Sequence, residues 1–207
     1  MPIDQQSTSV QNAHQATPSG HTAPIIQLLN QGDQLTQQFQ KQFNDSISHV
    51  QTLSASVQQH ENLTKLAHSS SLADITPQRS SVRQRTLATL EKTSEEAMAQ
   101  IRNSLENMET TVEQLSELLY KVDIYLSEPK HDGSIGFNPL NALNHLSNLF
   151  SVYQAELLEK RELFSSFNCE EIDVNSFLQR WKICNQINAL TQDTMQDLAD
   201  VMGAWST

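Results

Sequence analysis

Apolar residues recur along this chain at steps of three and four, which is the spacing of one face of an α-helix. The first such stripe runs through residues 24–67, and its members are Ile25, Leu28, Leu29, Leu35, Phe39, Phe43, Ile47, Val50, Leu53, Val57, Leu63 and Leu66. The opposite face carries Gln, Ser and His with little charge. Gly32 followed by Asp33 is a candidate break near the start. The pattern predicts a first long helix over residues 24–67.

A second stripe, over residues 85–126, follows one heptad frame. The a and d positions are held by Leu87, Leu90, Ala97, Ile101, Met108, Leu115, Leu118, Val122 and Tyr125, with Ser94, Ser104 and Thr111 at the remaining ones. The e position adds Leu105, Val112, Leu119 and Leu126. Because this stripe is wider than a two-stranded coiled-coil surface, it indicates a long helix that packs against two others.

Shorter helices are predicted over residues 139–205. Asn138-Pro139 places an N-cap residue before a proline at the first helical position. The apolar residues that follow are Leu140, Leu143, Leu146, Leu149, Phe150, Tyr153, Leu157 and Phe164, then Phe177, Leu178, Trp181, Cys184 and Ile187, and finally Met195, Leu198, Val201, Met202 and Trp205. These groups indicate two or three helices in succession.

The remaining segments lack an apolar period. Residues 1–23 are a predicted disordered tail rich in Gln and Ser, 68–84 a linker, and 127–138 a loop with Pro and Gly. No segment alternates with period two, as a half-buried strand would. The predicted fold class is therefore all-α: an elongated helical bundle or coiled coil with two long helices and two to three shorter C-terminal ones.

The formal net charge of -11 is distributed unevenly. Residues 1–90 carry five acidic and five basic residues, whereas residues 91–207 carry nineteen acidic and eight basic. Such an acidic half repels a phosphate backbone, so we expect protein partners and no direct nucleic-acid binding. No apolar run is long enough to cross a membrane, and the first residues do not resemble a signal peptide, so a soluble intracellular protein is expected.

The sequence contains no recognisable catalytic or metal-binding pattern. The five glycines form no phosphate-binding loop, and the seven histidines form no HExxH. Cys169 and Cys184 belong to no CxxC pair. We therefore expect no enzyme activity, no metal and no cofactor.

Thr76-Pro77-Gln78-Arg79 fits the proline-directed kinase consensus, with a basic residue two positions after the proline. It falls in the predicted linker, where a kinase could reach it. Thr76 is a candidate phosphorylation site, although a match this short also arises by chance.

A charged run interrupts the third helix, where Tyr153, Glu156, Leu157, Leu158, Lys160 and Arg161 spell Y-x-x-E-L-L-x-K-R. A loop and the sequence Phe177-Leu178-Gln179-Arg180-Trp181 follow. This arrangement resembles the C-terminal half of the cyclin-dependent kinase 2-interacting protein (CINP) family, over residues 140–202. The sister family of AAA-ATPase-interacting ribosome maturation factors (AIRIM) has a related segment, which Ser165-Ser166 also matches. The first helix has no tryptophan, unlike that of the CINP family.

The resemblance implies a non-catalytic adaptor subunit of a nuclear AAA-ATPase complex. Such complexes act in large ribosomal subunit maturation and in replication and cell-cycle control. The implied partners are AAA ATPase subunits, a related helical subunit and a cyclin-dependent kinase, in a hetero-oligomer located in the nucleus and also in the cytoplasm. The alternative is a structural coiled-coil subunit of a tethering, kinetochore or vesicle complex.

Two interpretations of the charged run remain open. Glu156 precedes Lys160 by one helical turn, so these charges could form an ordinary solvated face. Alternatively Tyr153, Glu156, Lys160 and Arg161 edge a partner-binding surface, with Trp181 packed beneath it as a structural anchor. Charge reversal at the basic pair would then leave folding unchanged.

Overall fold

A computed structural model of the chain describes residues 23–69, 77–127 and 139–183, together with Ile187. These ranges form four helices: α1 (Ala23–Ser69), α2 (Pro77–Ser127), α3 (Pro139–Asn168) and α4 (Val174–Trp181). The described backbone is almost wholly helical and contains no strand. The predicted all-α fold, with two long helices followed by shorter ones, is confirmed. No helix within these ranges has the length and apolarity that a membrane crossing requires.

The segment joining the two long helices is shorter than predicted. α1 continues to Ser69, and α2 begins at Pro77 rather than at residue 85. Proline is tolerated at the first helical position because its missing N–H has no partner there anyway. The hydroxyl of Thr86 donates to the carbonyl oxygen of Val82 at 3.0 Å, within the helix. The predicted linker over residues 68–84 is therefore wrong for 68–69 and 77–84, which belong to the two long helices.

The C-terminal half also differs in its bounds. α2 ends at Ser127, the first residue of the predicted loop. α4 ends at Trp181, before Cys184, and its backbone capping bonds run from Lys182 to the preceding turn. Ile187 is buried against the core. The predicted tail, the rest of the loop and the last apolar segment lie outside the described residues.

α1 and α2 form an antiparallel hairpin, which is the most extensive helix pair in the molecule. α3 packs mainly on α2, and α4 lies on α1 and α3. One continuous core connects all four helices, with Phe39, Ile101, Met108, Phe177 and Trp181 among its fully buried side chains. The wide stripe of α2 is thus covered by α1 on one side and α3 on the other, as the a, d and e positions predicted.

Two hydroxyl residues at core positions of α2 find hydrogen-bond acceptors. Thr111 is fully buried, and its hydroxyl lies 3.1 Å from the carbonyl oxygen of Asn107 and 3.2 Å from Oε1 of Gln42 on α1. Ser104 donates to the carbonyl oxygen of Gln100 at 2.9 Å. The small side chains let the helices approach closely, and each hydroxyl is satisfied, so neither carries the cost of an unpaired buried group.

Gly32 was a candidate helix break, but α1 continues through it. Its small size instead allows three helices to meet. A β-carbon at this position would lie 2.7 Å from Cδ2 of Leu146 on α3 and 3.5 Å from Cδ2 of Leu118 on α2. The first of these distances is shorter than van der Waals contact. Gly32 therefore serves the close packing of the three helices, although glycine has a low helix propensity.

The neighbouring Asp33 is partly buried, and this burial raises the pKa of its carboxyl. The charge of His145 on α3 acts in the opposite direction.

The hairpin extends beyond the end of α3. We call this part, residues 58–69 of α1 and 77–96 of α2, the distal arm. Core positions of α2 are buried from Ala97 to Val122, but Leu87, Leu90 and Ser94 in the same stripe are only half-buried. No described side chain of α1 beyond Ser56 is buried. Two helices alone cannot enclose a core, so the exposure of this stripe rises where α3 stops.

Candidate functional site at the junction of three helices

The stretch that resembles the CINP motif lies on α3 and is turned mainly toward the interior. Tyr153, Glu156, Leu157 and Lys160 are buried, at 7%, 0%, 4% and 0% exposure. The Tyr153 ring meets the edge of the Phe39 ring on α1, with centroids 4.9 Å apart. Spacings of three and four place these residues on one helical face, and that face points at α1 and α4.

A Glu–Lys ion pair is buried at the centre of this junction. Nζ of Lys160 lies 2.9 Å from Oε1 of Glu156, and neither side chain is exposed at all. Lys160 also donates a hydrogen bond to the backbone carbonyl of Ile183, just beyond α4. Its ammonium group lies 5.5 Å from the ring centroid of Phe43 on α1. One lysine thus connects α3 to α1 and to the end of α4.

The carboxylate of Glu156 depends on this lysine. Both of its oxygens are shielded from solvent, and neither makes a contact that meets the angular requirements of a hydrogen bond. The 2.9 Å approach of Nζ is therefore a charge contact with poor hydrogen-bond geometry. A carboxylate in this situation is stabilised almost wholly by the opposite charge beside it, so removing the lysine leaves an uncompensated buried anion.

Trp181 closes the other side of the junction. It is fully buried, and its indole N–H donates to the hydroxyl oxygen of Ser46 on α1 at 2.9 Å. That hydroxyl in turn donates to the carbonyl oxygen of Phe43 at 2.6 Å. The Trp181 ring also lies against Phe177, with centroids 5.3 Å apart. The residue that the sequence indicated as a structural anchor connects α4 to α1 through both ring packing and a hydrogen bond.

α4 begins at a well-formed cap. Oδ1 of Asp173 accepts from the backbone N–H groups of Asn175 and Ser176 at 2.9 and 3.0 Å, and Oδ2 accepts from the Ser176 hydroxyl at 2.6 Å. The side-chain and backbone hydrogen bonds from Ser176 lower the pKa of the Asp173 carboxyl. Because this pKa is lowered, the ionised cap survives below the pH at which an ordinary aspartate protonates.

The predicted partner-binding surface is therefore corrected for most of its residues. Tyr153, Glu156 and Lys160 are interior residues of this chain, so they cannot edge an exposed surface in this fold. Hydrophobic contact with α1 and charge pairing within one turn of α3 account for their burial. The corollary that charge reversal at Lys160 would leave folding unchanged is also corrected, since it would place two carboxylates together in the core.

The exposed residues of the stretch lie on its outer face. Arg161 is partly exposed, and its guanidinium contacts the carboxylate of Glu109 on α2. Leu158, on α3 three residues earlier, is 57% exposed. Of the four predicted partner-binding residues, only Arg161 can reach another chain directly. Thr76, the candidate phosphorylation site, lies outside the described residues and remains a prediction.

A groove of about 970 Å³ lies where the α3–α4 turn crosses the base of the distal arm. Its floor is apolar, with Val57, Met98, Phe167 and Ile172. Its rim is acidic, with Glu61, Glu170, Glu171 and Asp173. Arg102 is the basic residue of this lining, and its guanidinium lies 5.9 Å from the ring centroid of Phe164. We call this feature the acidic groove.

The turn that forms one wall of this groove contains an unusual backbone conformation. Glu170 has a φ of 59°, in the left-handed region that favours glycine. Its N–H donates to the carbonyl oxygen of Phe167, and the N–H of Glu171 donates to that of Ser166. These two bonds define a Schellman motif, in which glycine is the usual residue at the position of Glu170.

Glu170→Gly is expected to raise the free energy of unfolding by about 0.5–1 kcal/mol, because glycine adopts the left-handed conformation without steric cost. Urea denaturation followed by circular dichroism would measure the change. Glu171→Gly is the matched control, because that substitution adds chain entropy without relieving a positive φ. An equal or greater stabilisation by the control would contradict this explanation.

Several residues of the site were not singled out from the sequence. Ser46 was hidden among the stripe positions of the first helix, although a serine three residues after Phe43 and four before Val50 is itself a signal. Glu109 was hidden because a glutamate on a polar helix face has no distinguishing pattern. The partner of each lies far along the chain, at Trp181 and Arg161, so only the folded arrangement identifies them.

This chain matches no family model, no curated protein and no solved structure. Within the described part of the chain, no group of three or more His, Cys, Asp or Glu side chains could hold a metal ion. Cys169, in the turn after α3, is a free and exposed thiol.

Proposed function

We propose that this chain is a non-catalytic adaptor subunit that binds other proteins through its helices. By its resemblance to the CINP and AIRIM families, its setting is a nuclear AAA-ATPase complex. That complex acts in large ribosomal subunit maturation and in replication and cell-cycle control. The partners are AAA ATPase subunits and a related helical subunit, and a cyclin-dependent kinase is a further candidate.

The observation that carries the proposal is the division of the motif stretch into two faces. Glu156 and Lys160 are wholly buried and hold the junction together, so their side chains serve the fold of this chain. Leu158 and Arg161 lie on the outside, and the acidic residues Glu159 and Glu162 each directly follow one of them. An exposed leucine beside an arginine, on a rigid and well-anchored helix, is suited to contact an apolar and acidic surface of another protein.

The arrangement of the helices supports the same class of function. α3 is held on both sides, by the buried junction and by the Arg161–Glu109 contact to α2. A helix fixed in this way loses little conformational freedom when it binds, which favours its use as a docking surface. The long α1–α2 hairpin, with α3 and α4 packed on part of it, also provides separated surfaces for more than one partner.

The test is affinity purification of the full chain from its own cells, compared with the double variant Leu158→Asp/Arg161→Glu. We expect the variant to recover roughly tenfold fewer AAA ATPases or less. Both exposed residues become acidic side chains, which an acidic partner surface repels. Its free energy of unfolding should fall by no more than about 1 kcal/mol, because the Arg161–Glu109 ion pair that the variant breaks is partly exposed.

Tyr120→Asp/Lys121→Glu is a matched control on α2, where an exposed aromatic residue also adjoins a basic one. It makes the same change in charge and should recover partners at the wild-type level. Recovery of tethering, spindle or SNARE-type proteins instead of ATPases would support the structural coiled-coil alternative. Equal recovery of ATPases by wild type and the Leu158 variant would remove this face of α3 from the proposal.

A further inference from the structure

The apolar floor of the acidic groove is assembled from four separate parts of the chain. Val57 comes from α1, Met98 from α2, Phe167 from α3 and Ile172 from the turn before α4. Each of these side chains is only partly buried, and each packs against the core. The floor therefore offers apolar surface to a ligand, in a cavity whose volume of about 970 Å³ lies within the usual range of binding clefts.

The walls of the groove are held in place by contacts within the chain. The ring of Phe167 stacks on the fully buried ring of Phe177, with centroids 4.6 Å apart. Gln58 of α1 donates a hydrogen bond to the side-chain oxygen of Asn175 at the start of α4, and both residues line the groove. Because the walls are already fixed, a ligand loses little affinity to ordering them.

The rim of the groove is strongly acidic. Four exposed carboxylates stand on it: Glu61, Glu170, Glu171 and Asp173. Among the described residues of the lining, Arg102 alone is basic, and its guanidinium lies over the ring of Phe164. Lys65 pairs with Glu61 at 3.2 Å, but both side chains are more than half exposed, so water weakens this pair. The rim thus keeps a net negative charge.

The carboxylates are spread around the floor and do not converge on one point. In the described part of the chain, no three acidic, histidine or cysteine side chains are placed to hold a metal ion. The matching ligand therefore has several separate positive charges flanking apolar groups. Lysine and arginine side chains provide both, because their apolar stems lie along apolar surface while their charged ends reach outward.

The chain's own remaining segments lack this chemistry. Residues 1–22, 70–76, 184–186 and 188–207 contain five aspartates and neither lysine nor arginine. Residues 128–138 contain one lysine, Lys130, together with Glu128 and Asp132. An acidic rim repels segments of this composition. Charge complementarity therefore favours a segment of another protein as the occupant of the groove.

We propose that the acidic groove binds a basic, amphipathic segment of another protein. Its apolar side chains enter the groove, and its lysine or arginine side chains pair with the carboxylates of the rim. Arg102 repels cations on the α2 side, so the positive charges lie toward Glu170 and Glu171 in the turn. This goes beyond the proposed function, which uses Leu158 and Arg161 on the outer face of α3.

The size of the groove sets the expected strength of binding. A single short segment buries less surface than a standard protein interface, so we expect a dissociation constant on the order of 10 µM. Apolar contact with the floor supplies most of this affinity. The exposed rim charges orient the segment, and their contribution falls as salt screens them.

Fluorescence anisotropy with a labelled peptide and the full chain tests the proposal. The probe is an amphipathic peptide of about 14 residues, with leucine at steps of three and four and lysine at the other positions. One control peptide has serine in place of leucine, and a second has glutamate in place of lysine. We expect each control peptide to bind roughly tenfold or more weakly than the probe, since each lacks one half of the chemistry.

A pair of charge-reversal variants locates the binding site. Glu170→Lys/Glu171→Lys should weaken binding of the probe by roughly tenfold or more, because it places cations on the rim. Glu113→Lys/Glu117→Lys makes the same change in net charge on α2, outside the groove lining. This matched control should weaken binding by no more than about twofold at physiological salt. All four positions are exposed, so circular dichroism should show unchanged helix content.

Three results would overturn the proposal. The probe could show no measurable binding, which would exclude a groove open to basic amphipathic segments. The two charge-reversal variants could weaken binding equally, which would show only a general attraction to an acidic chain. The serine peptide could bind as tightly as the leucine probe, which would exclude a role for the apolar floor.

Discussion

Lys160→Met is expected to lower the free energy of unfolding by about 3–5 kcal/mol, because it leaves the Glu156 carboxylate buried without a partner. Methionine has nearly the volume of lysine, so the loss comes from charge and not from a cavity. The change is a large share of the stability of a typical domain, about 5–15 kcal/mol. Urea denaturation monitored by circular dichroism measures it.

Arg161→Met is the matched control for this prediction. Its ion pair with Glu109 is partly exposed, at 41% and 37% of the two side chains, so solvent screening limits the expected loss to about 0–1 kcal/mol. The double variant Glu156→Leu/Lys160→Met removes both buried charges and should recover most of the stability, since apolar residues often replace buried ion pairs without cost. If Lys160→Met lowers the free energy of unfolding no more than Arg161→Met does, Glu156 is not held in a water-free interior by Lys160.

Trp181→Ala is the second substitution with a large expected effect, a loss of about 3–5 kcal/mol. The indole ring is fully buried, and its removal opens a cavity between α4 and α1. α4 has only eight residues, far fewer than an isolated helix needs in water. We therefore expect α4 to lose its ordered position first, which hydrogen exchange of its backbone amides would show as lost protection.

A second variant separates the ring from its hydrogen bond. Trp181→Phe keeps most of the apolar contact but removes the donor to Ser46, so a smaller loss of about 1 kcal/mol is expected. Gln179→Ala, at an exposed position of the same helix, should change the stability by no more than about 0.5 kcal/mol. A urea midpoint for Trp181→Ala equal to that of the Gln179 control would refute the anchoring role.

Much of the fold could be predicted from periodicity because long helices repeat a local signal many times. The stripe from Leu28 to Leu63 and the heptads from Leu87 to Val122 each extend over many turns, so a few polar interruptions do not obscure them. Boundaries were less accurate, as the start of α2 at Pro77 shows. Proline and serine occur both in linkers and at helix starts, and only the neighbouring packing distinguishes the two.

The sequence identified the stretch that forms the candidate site, but three of its residues were predicted to be exposed and are buried. Glu156 and Lys160 are charged, and charged residues are rarely found fully buried unless they are paired. Their i,i+4 spacing indicated a pair but not its depth. Their burial depends on α4, whose placement follows from Trp181 reaching Ser46, a contact across 135 positions of the chain.

The sequence by itself determined the helical class, the presence of two long helices and the inward face of each, because those properties follow from residue spacing within a few turns. The tertiary structure decided which charges are buried, why Gly32 stands inside a helix, and where coverage of the hairpin ends. These depend on contacts between distant segments, such as Gly32 with Leu146 and Lys160 with the backbone beyond α4. No local pattern records such contacts, since each partner looks ordinary on its own helix.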